Sequence, residues 1–238
     1  MNEILKAAEA RAAELTDGEL ALINRQALRP LVKEEVYSFK LAACDNQVDR
    51  DFERFTDASL EELAGLFTGK SVLMDHWWSA GSQTARVYAA QVEAEGEVKR
   101  LILRCYMPRT EQTAGTITAI ETGILRECSV GCAVRRAVCS ICGADQTKAC
   151  CQHIPGKEYD GRLCVMALDG AADAYEVSLV AVPAQPKAGV VKSKRYGGEE
   201  APGAEPAEDA GAAEEKEALL MARAVQEQEE KRYGGIEA

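Results

Sequence analysis

The sequence predicts an α+β protein: a mainly antiparallel β-barrel, closed or partly closed, with flanking helices. Three observations carry that expectation. Period-two hydrophobic segments recur from Val36 onward, and most of them are short. Helical periodicity is confined to a few stretches. A small cysteine-rich loop and an acidic tail stand apart from both by composition.

The N-terminal segment, 1–30, reads as helical. Ile4, Leu5, Ala8, Ala12 and Leu15 fall at helical spacing, and Thr16-Asp17-Gly18-Glu19 is a capping-box pattern. The box restarts a helix through Leu20, Leu22, Ile23 and Leu28, which Arg29-Pro30 ends. The barrel domain is expected over 36–192, opening with a strand from Val36 to Ala42. After the polar loop 45–51, Ser59 to Phe67 reads as a short helix with Ser59-x-x-Glu62 at its start. Val72 to Met74 reads as a buried strand. Ala85–Glu93 and Leu101–Tyr106 are strands around Glu95-Gly96-Glu97. Glu111 to Thr122 is helical and ends at Gly123, a usual C-terminal cap. Strands follow over Glu127–Val138 and Ala174–Val182, the second closed by Pro183. The cysteine-rich insertion, 138–165, lies between them.

Most of the net charge of −11 falls within residues 199–230 of the tail, 193–238. Residues 199–230 hold eleven acids against Lys216 and Arg223, so the preceding chain is only mildly acidic. That composition reads as a linker followed by a solvated helix or disordered chain. Lys194-Arg195-Tyr196-Gly197-Gly198 recurs as Lys231-Arg232-Tyr233-Gly234-Gly235, and the copies bracket the tail. No basic, aromatic-interleaved patch suggests nucleic-acid binding. No run approaches the roughly 18 apolar residues that span a bilayer, and acids interrupt the first residues, unlike a secretory signal. The expectation is a cytoplasmic protein that engages neither nucleic acid nor membrane.

Only two histidines are present, His76 and His153. His76 follows a strand in Leu73-Met74-Asp75-His76-Trp77-Trp78, where imidazole can serve as a base near neutral pH. Glu127-Cys128-Ser129-Val130-Gly131-Cys132 offers a hydroxyl two positions before a glycine, on one strand face, with room for a substrate backbone alongside. A serine needs a base to become nucleophilic, and His76 is the histidine outside the cysteine cluster. Cys128 is a rival nucleophile, but neighbours on a strand point to opposite faces, so only one of the pair can meet His76.

The order of Asp75-His76, Ser129-Val130-Gly131 and Tyr175-Glu176-Val177-Ser178-Leu179-Val180-Ala181-Val182-Pro183-Ala184 resembles the prohead maturation proteases of tailed bacteriophages, which share a fold with the herpesvirus assemblins. Asp49-Arg50-Asp51-Phe52-Glu53-Arg54-Phe55 is similar to the segment preceding the histidine in that family. The resemblance covers 36–191. It implies a serine endopeptidase with Ser129 as nucleophile, His76 as general base and Glu176 as the orienting acid, with Asp173 as competitor for the third role. It also implies phage scaffold and major capsid proteins as substrates inside an assembling procapsid in the host cytoplasm, and leaves self-association open. Amides near Val130 and Gly131 are candidates to bind the oxyanion. A non-catalytic virion module with the same fold is the alternative.

The cysteine cluster departs from the common pattern of that family. Cys139-x-x-Cys142-Gly143 is a knuckle, and Cys150-Cys151-Gln152-His153 returns after a short loop. Cys139, Cys142, Cys150 and His153 make a closed tetrahedral set for structural zinc, with Cys151 as the spare thiol. Cys44, Cys105, Cys132 and Cys164 read as small core residues. Trp77 and Trp78 read as one core anchor and one rim residue.

Overall fold

The computed structural model describes residues 15–191. The expectations for residues 1–14, the acidic tail and both Lys-Arg-Tyr-Gly-Gly segments lie outside the described residues. In chain order the elements are α1 (Asp17–Asn24), β1 (Val36–Asp45), β2 (Glu53–Phe55), α2 (Asp57–Phe67), β3 (Ser71–Met74), β4 (Ala85–Glu95) and β5 (Val98–Pro108). Then follow α3 (Glu111–Glu121), β6 (Glu127–Cys139), β7 (Glu158–Tyr159), β8 (Arg162–Leu163), β9 (Met166–Val180) and β10 (Gly189–Val190).

Seven strands run β9-β3-β4-β5-β1-β10-β6, and β6 returns to pair with β9, closing a barrel. The sheet is mixed. Both β2 and β3 lie parallel to β9, at Met166–Leu168 and Glu176–Leu179 respectively, while the other named pairs are antiparallel. An α+β barrel with flanking helices is therefore present, with parallel pairs that the alternation of single segments did not reveal.

The interior is filled from every side. Leu41, Val87, Leu101, Leu103, Cys105, Val177 and Leu179 are buried strand residues of one cluster. Leu60, Leu63 and Phe67 of α2 and Ile117 and Ile120 of α3 join it. Each large aliphatic side chain so buried contributes roughly 1.5–3 kcal/mol. A smaller cluster of Leu15, Ile23, Val36 and Tyr88 seats α1 on the barrel.

Local chemistry explains where the elements differ from expectation. The capping box forms, with Glu19 N donating to Thr16 Oγ1 at 3.2 Å and Thr16 N to Glu19 Oε2 at 3.0 Å. α1 nevertheless stops at Asn24, because the Asn24 side chain bonds both backbone groups of Leu31 and turns the chain back; Leu28 is left exposed. α2 begins earlier than Ser59. Thr56 is its cap, and the buried Ser59 hydroxyl donates instead to Leu168 O on β9. Gly123 ends α3 at φ +75°, as expected.

β9 starts eight residues before Ala174, at Met166. Its first half, Met166-Ala167-Leu168-Asp169-Gly170, is poor strand sequence, but long-range pairing with β6 and β2 imposes the conformation. The insertion has its own small core, in which Cys139, Cys164 and Met166 pack with Ile141, Cys151 and Tyr159. It docks on the barrel where Gly156 (φ +80°) meets the Phe52 ring; a Cβ there would lie 2.5 Å from the ring. No helix among the described residues is long and apolar enough to cross a membrane.

Candidate active site and metal centre

β3 ends at Met74, and the next two residues adopt left-handed backbone, Asp75 at φ 52° and His76 at φ 53°. Trp77 N donates to Met74 O at 3.0 Å, closing a tight turn, and Asp75 N donates to Leu179 O at 3.0 Å. Asp and His tolerate this region better than most residues, yet each such residue costs on the order of 1–3 kcal/mol. The turn folds the chain back over β9 and sets the imidazole on Glu176. His76 Nδ1 lies 2.7 Å from Glu176 Oε1. The carboxylate is almost fully buried, whereas the imidazole side chain is 40% exposed.

Ser129 sits on the next strand. β6 and β9 pair Ser129 with Ser178 and Gly131 with Glu176, while β3 pairs Leu73 with Ser178. Directly opposed residues share a sheet face, so Ser129, Gly131, Glu176 and Ser178 line one face. Their neighbours Cys128, Val177 and Leu179 point into the barrel core. The site is thus on the outer face of the barrel, at the β6–β9 seam. Gly131 is required there: a Cβ would stand 2.4 Å from Glu176 Oε1. Ser129 is half-buried, and its hydroxyl has no hydrogen-bond partner among the described residues.

The competing assignments separate cleanly. Cys128 is fully buried, its Sγ 3.4 Å from Ala42 O, and burial followed by the nearby Glu127 pushes its thiol up to about 12. It faces away from His76. Asp173 is exposed and pairs with Lys70 at 3.3 Å. Val130 and Gly131 lie in the β6–β9 ladder opposite Val177 and Glu176.

Neither tryptophan is a core anchor. Trp77 and Trp78 are each 70% exposed, because the left-handed turn swings both outward. Trp78 packs on Tyr175 with ring centroids 5.6 Å apart, so an aromatic ledge adjoins His76. The site has a further residue to which the sequence motif assigns no role. Ser178 is fully buried, donates to Glu176 Oε2 at 2.5 Å and accepts from His76 N at 3.0 Å. Its signal was the alternation of β9, which places it on the face of Glu176.

The second histidine belongs to a separate cluster. Ligand atoms of Cys139, Cys142, Cys151 and His153 lie within 4.8 Å of one another, a Cys3His set that can hold a metal ion. Cys151 therefore replaces Cys150 as the third thiol. Cys150 is exposed and outside the group, since the chain turns between the two and directs Cys151 inward. Gln146 fixes that turn, donating to Cys151 Sγ at 2.8 Å and accepting from Cys151 N at 3.3 Å.

The donor chemistry fits a cation. His153 Nδ1 is buried with no hydrogen-bond partner. Burial pushes the Cys139 thiol up, but amide hydrogen bonds from Cys142 and Ile141 and thiol contacts with Cys142 and Cys151 outweigh it and bring it down to about 7. Cys164, expected as a core residue, is fully buried but lies against this cluster, its Sγ 3.8 Å from that of Cys139.

No family model, curated protein or solved structure matches the chain.

Proposed function

We propose that this chain is a serine endopeptidase of the prohead maturation type, acting on scaffold and capsid proteins during phage assembly. The observation that carries the reading is the contact of His76 Nδ1 with the buried Glu176 carboxylate, with Ser129 on the same face of the adjoining strand. A carboxylate only accepts, so Nδ1 carries the proton and Nε2 is left as the base.

The chemistry follows from that tautomer. His76 Nε2 takes the Ser129 hydroxyl proton as Oγ attacks the scissile carbonyl carbon, and Glu176 steadies the imidazolium. Collapse of the tetrahedral intermediate breaks the C–N bond, and the imidazolium returns its proton to the leaving amine. Water then attacks the Ser129 ester with His76 again as base, releasing the new carboxyl terminus and free serine. Any amide of Val130 or Gly131 not committed to the ladder would bind the oxyanion.

The metal is proposed to be zinc, for which three thiolates and an imidazole form a closed, four-coordinate set. Cys139, Cys142, Cys151 and His153 would hold it, and its contribution would be structural, tying the insertion to the end of β6. The duplicated Lys-Arg-Tyr-Gly-Gly segments are proposed as self-processing points that release the acidic tail. Action in an assembling procapsid places the protein in the host cytoplasm.

Co-expression with phage scaffold and major capsid proteins, wild type beside Ser129→Ala, tests the reading by intact mass. Cleavage of the partners that disappears in Ser129→Ala supports it, and the fragment masses locate the cut sites. No cleavage in either, together with no labelling of Ser129 by a serine-directed phosphonate, overturns it in favour of a non-catalytic virion module.

A further inference from the structure

Ser178 has no exposed surface, and its hydroxyl is committed on both sides. It accepts from His76 N at 3.0 Å and donates to Glu176 Oε2 at 2.5 Å. A backbone amide only donates, so the Ser178 oxygen accepts from His76 N and its own proton is given to Glu176 Oε2. Glu176 therefore spends one oxygen on the imidazole and the other on Ser178. The same hydroxyl grips the backbone of His76, one of two consecutive residues in left-handed conformation. Strain of that kind persists only where surrounding contacts over-determine it.

We propose that Ser178 is a positioning residue of this site, one hydroxyl that locks the carboxylate rotamer and the histidine turn into a single register. Without it, the Glu176 carboxylate is free to rotate about its terminal torsion, and the His76 amide loses its partner. Both changes loosen the Nδ1 contact that selects the tautomer with Nε2 free. Ser178 touches neither the scissile bond nor the proton in transit, so its effect reaches catalysis only through His76 and Glu176. That catalytic consequence rests on the endopeptidase reading; the positioning itself rests on the geometry alone.

The test uses the full chain and two readouts. With only two histidines, the imidazole nitrogen spectrum contains two rings, and His76→Ala assigns them. Wild type is expected to show His76 in the Nδ1–H tautomer with a slowly exchanging ring proton. Ser178→Ala should give a mixture of tautomers and rapid exchange. Its kcat should fall by about 10- to 100-fold, the range seen when a hydrogen bond that orients a metal-bound histidine is removed, with KM little changed. Ser178→Thr, which keeps the hydroxyl, should restore the wild-type ring signal and most of kcat, its fold verified by thermal melting. A folded Ser178→Ala protein with wild-type His76 tautomer and exchange overturns the proposal. If wild type itself proves inert toward substrates and the phosphonate, the endopeptidase reading fails, and the ring spectra still decide the role of Ser178.

Discussion

Glu176 lies against a glycine because no other residue leaves it room. A Cβ at Gly131 would stand 2.4 Å from Glu176 Oε1, and the carboxylate is held by two partners, so it cannot swing aside cheaply. Gly131→Ala should cost roughly 1–3 kcal/mol of stability by overpacking and displace the carboxylate from His76. Thermal unfolding and the His76 ring signal would show both effects together.

The neighbouring Cys128 and Ser129 separate the nucleophiles. On the proposed endopeptidase reading, Ser129→Ala should lower kcat on the order of 10⁴-fold or more, whereas Cys128→Ala should leave that chemistry intact and cost about 1 kcal/mol of core packing. Burial holds the Cys128 thiol up near 12 and that of the partly covered Cys132 near 11. The unfolded chain releases these protons first, near pH 8.5 to 9, so the folded state binds more protons above that range. Stability should therefore fall as pH rises from about 9, by up to about 1.4 kcal/mol per pH unit for each thiol. Cys128→Ala should flatten that slope in chemical denaturation measured from pH 8 to 11.

At the scale of elements, the informative unit is the seam of β6 and β9 with the insertion that joins them. Cys139 ends β6, and Cys164 precedes β9 by two residues. The loop between them is long, and a metal held by Cys139, Cys142, Cys151 and His153 would constrain it where its own hydrophobic core is small. Cys151→Ser should abolish stoichiometric metal binding, while Cys150→Ser should leave it intact, measured by elemental analysis of purified protein. Strong chelation should expose amides of 140–165 to hydrogen exchange and leave those of β1, β4 and β5 protected.

Spacing alone pointed to a Cys/His cluster over the insertion. It did not choose between adjacent thiols, because their directions depend on a loop turn fixed by the Gln146 side chain. The early start of β9 was hidden for a related reason. Its first half owes its conformation to partners far along the chain.

Across the whole molecule, closure of the barrel sets the turn after β3, which carries His76, against Glu176 of β9 and puts Ser129 on the same face of the adjoining β6, although β3 and β6 are separated by the β4–β5 hairpin and α3 in sequence. The interior is shared by strands and helices, so damage to it should be global. Leu103→Ala, at a fully buried position of β5, should destabilise by about 2–5 kcal/mol. Its unfolding, followed by tryptophan fluorescence and by far-UV circular dichroism, should remain one coincident transition.

By itself the sequence determined the period-two strands, the capping box at Thr16, the Gly123 helix end, the face shared by Ser129 and Gly131, and the placing of the two histidines in two separate segments. These are local properties, set by side-chain alternation and by backbone preferences over a few residues. Only the tertiary structure decided that β3 runs parallel to β9, that Glu176 rather than Asp173 meets His76, that Ser178 bonds both, and that Cys151 rather than Cys150 joins the Cys3His group. Each of those depends on which strand becomes a neighbour and which way a turn points. Those choices are made by the burial of a common core and not by any segment alone.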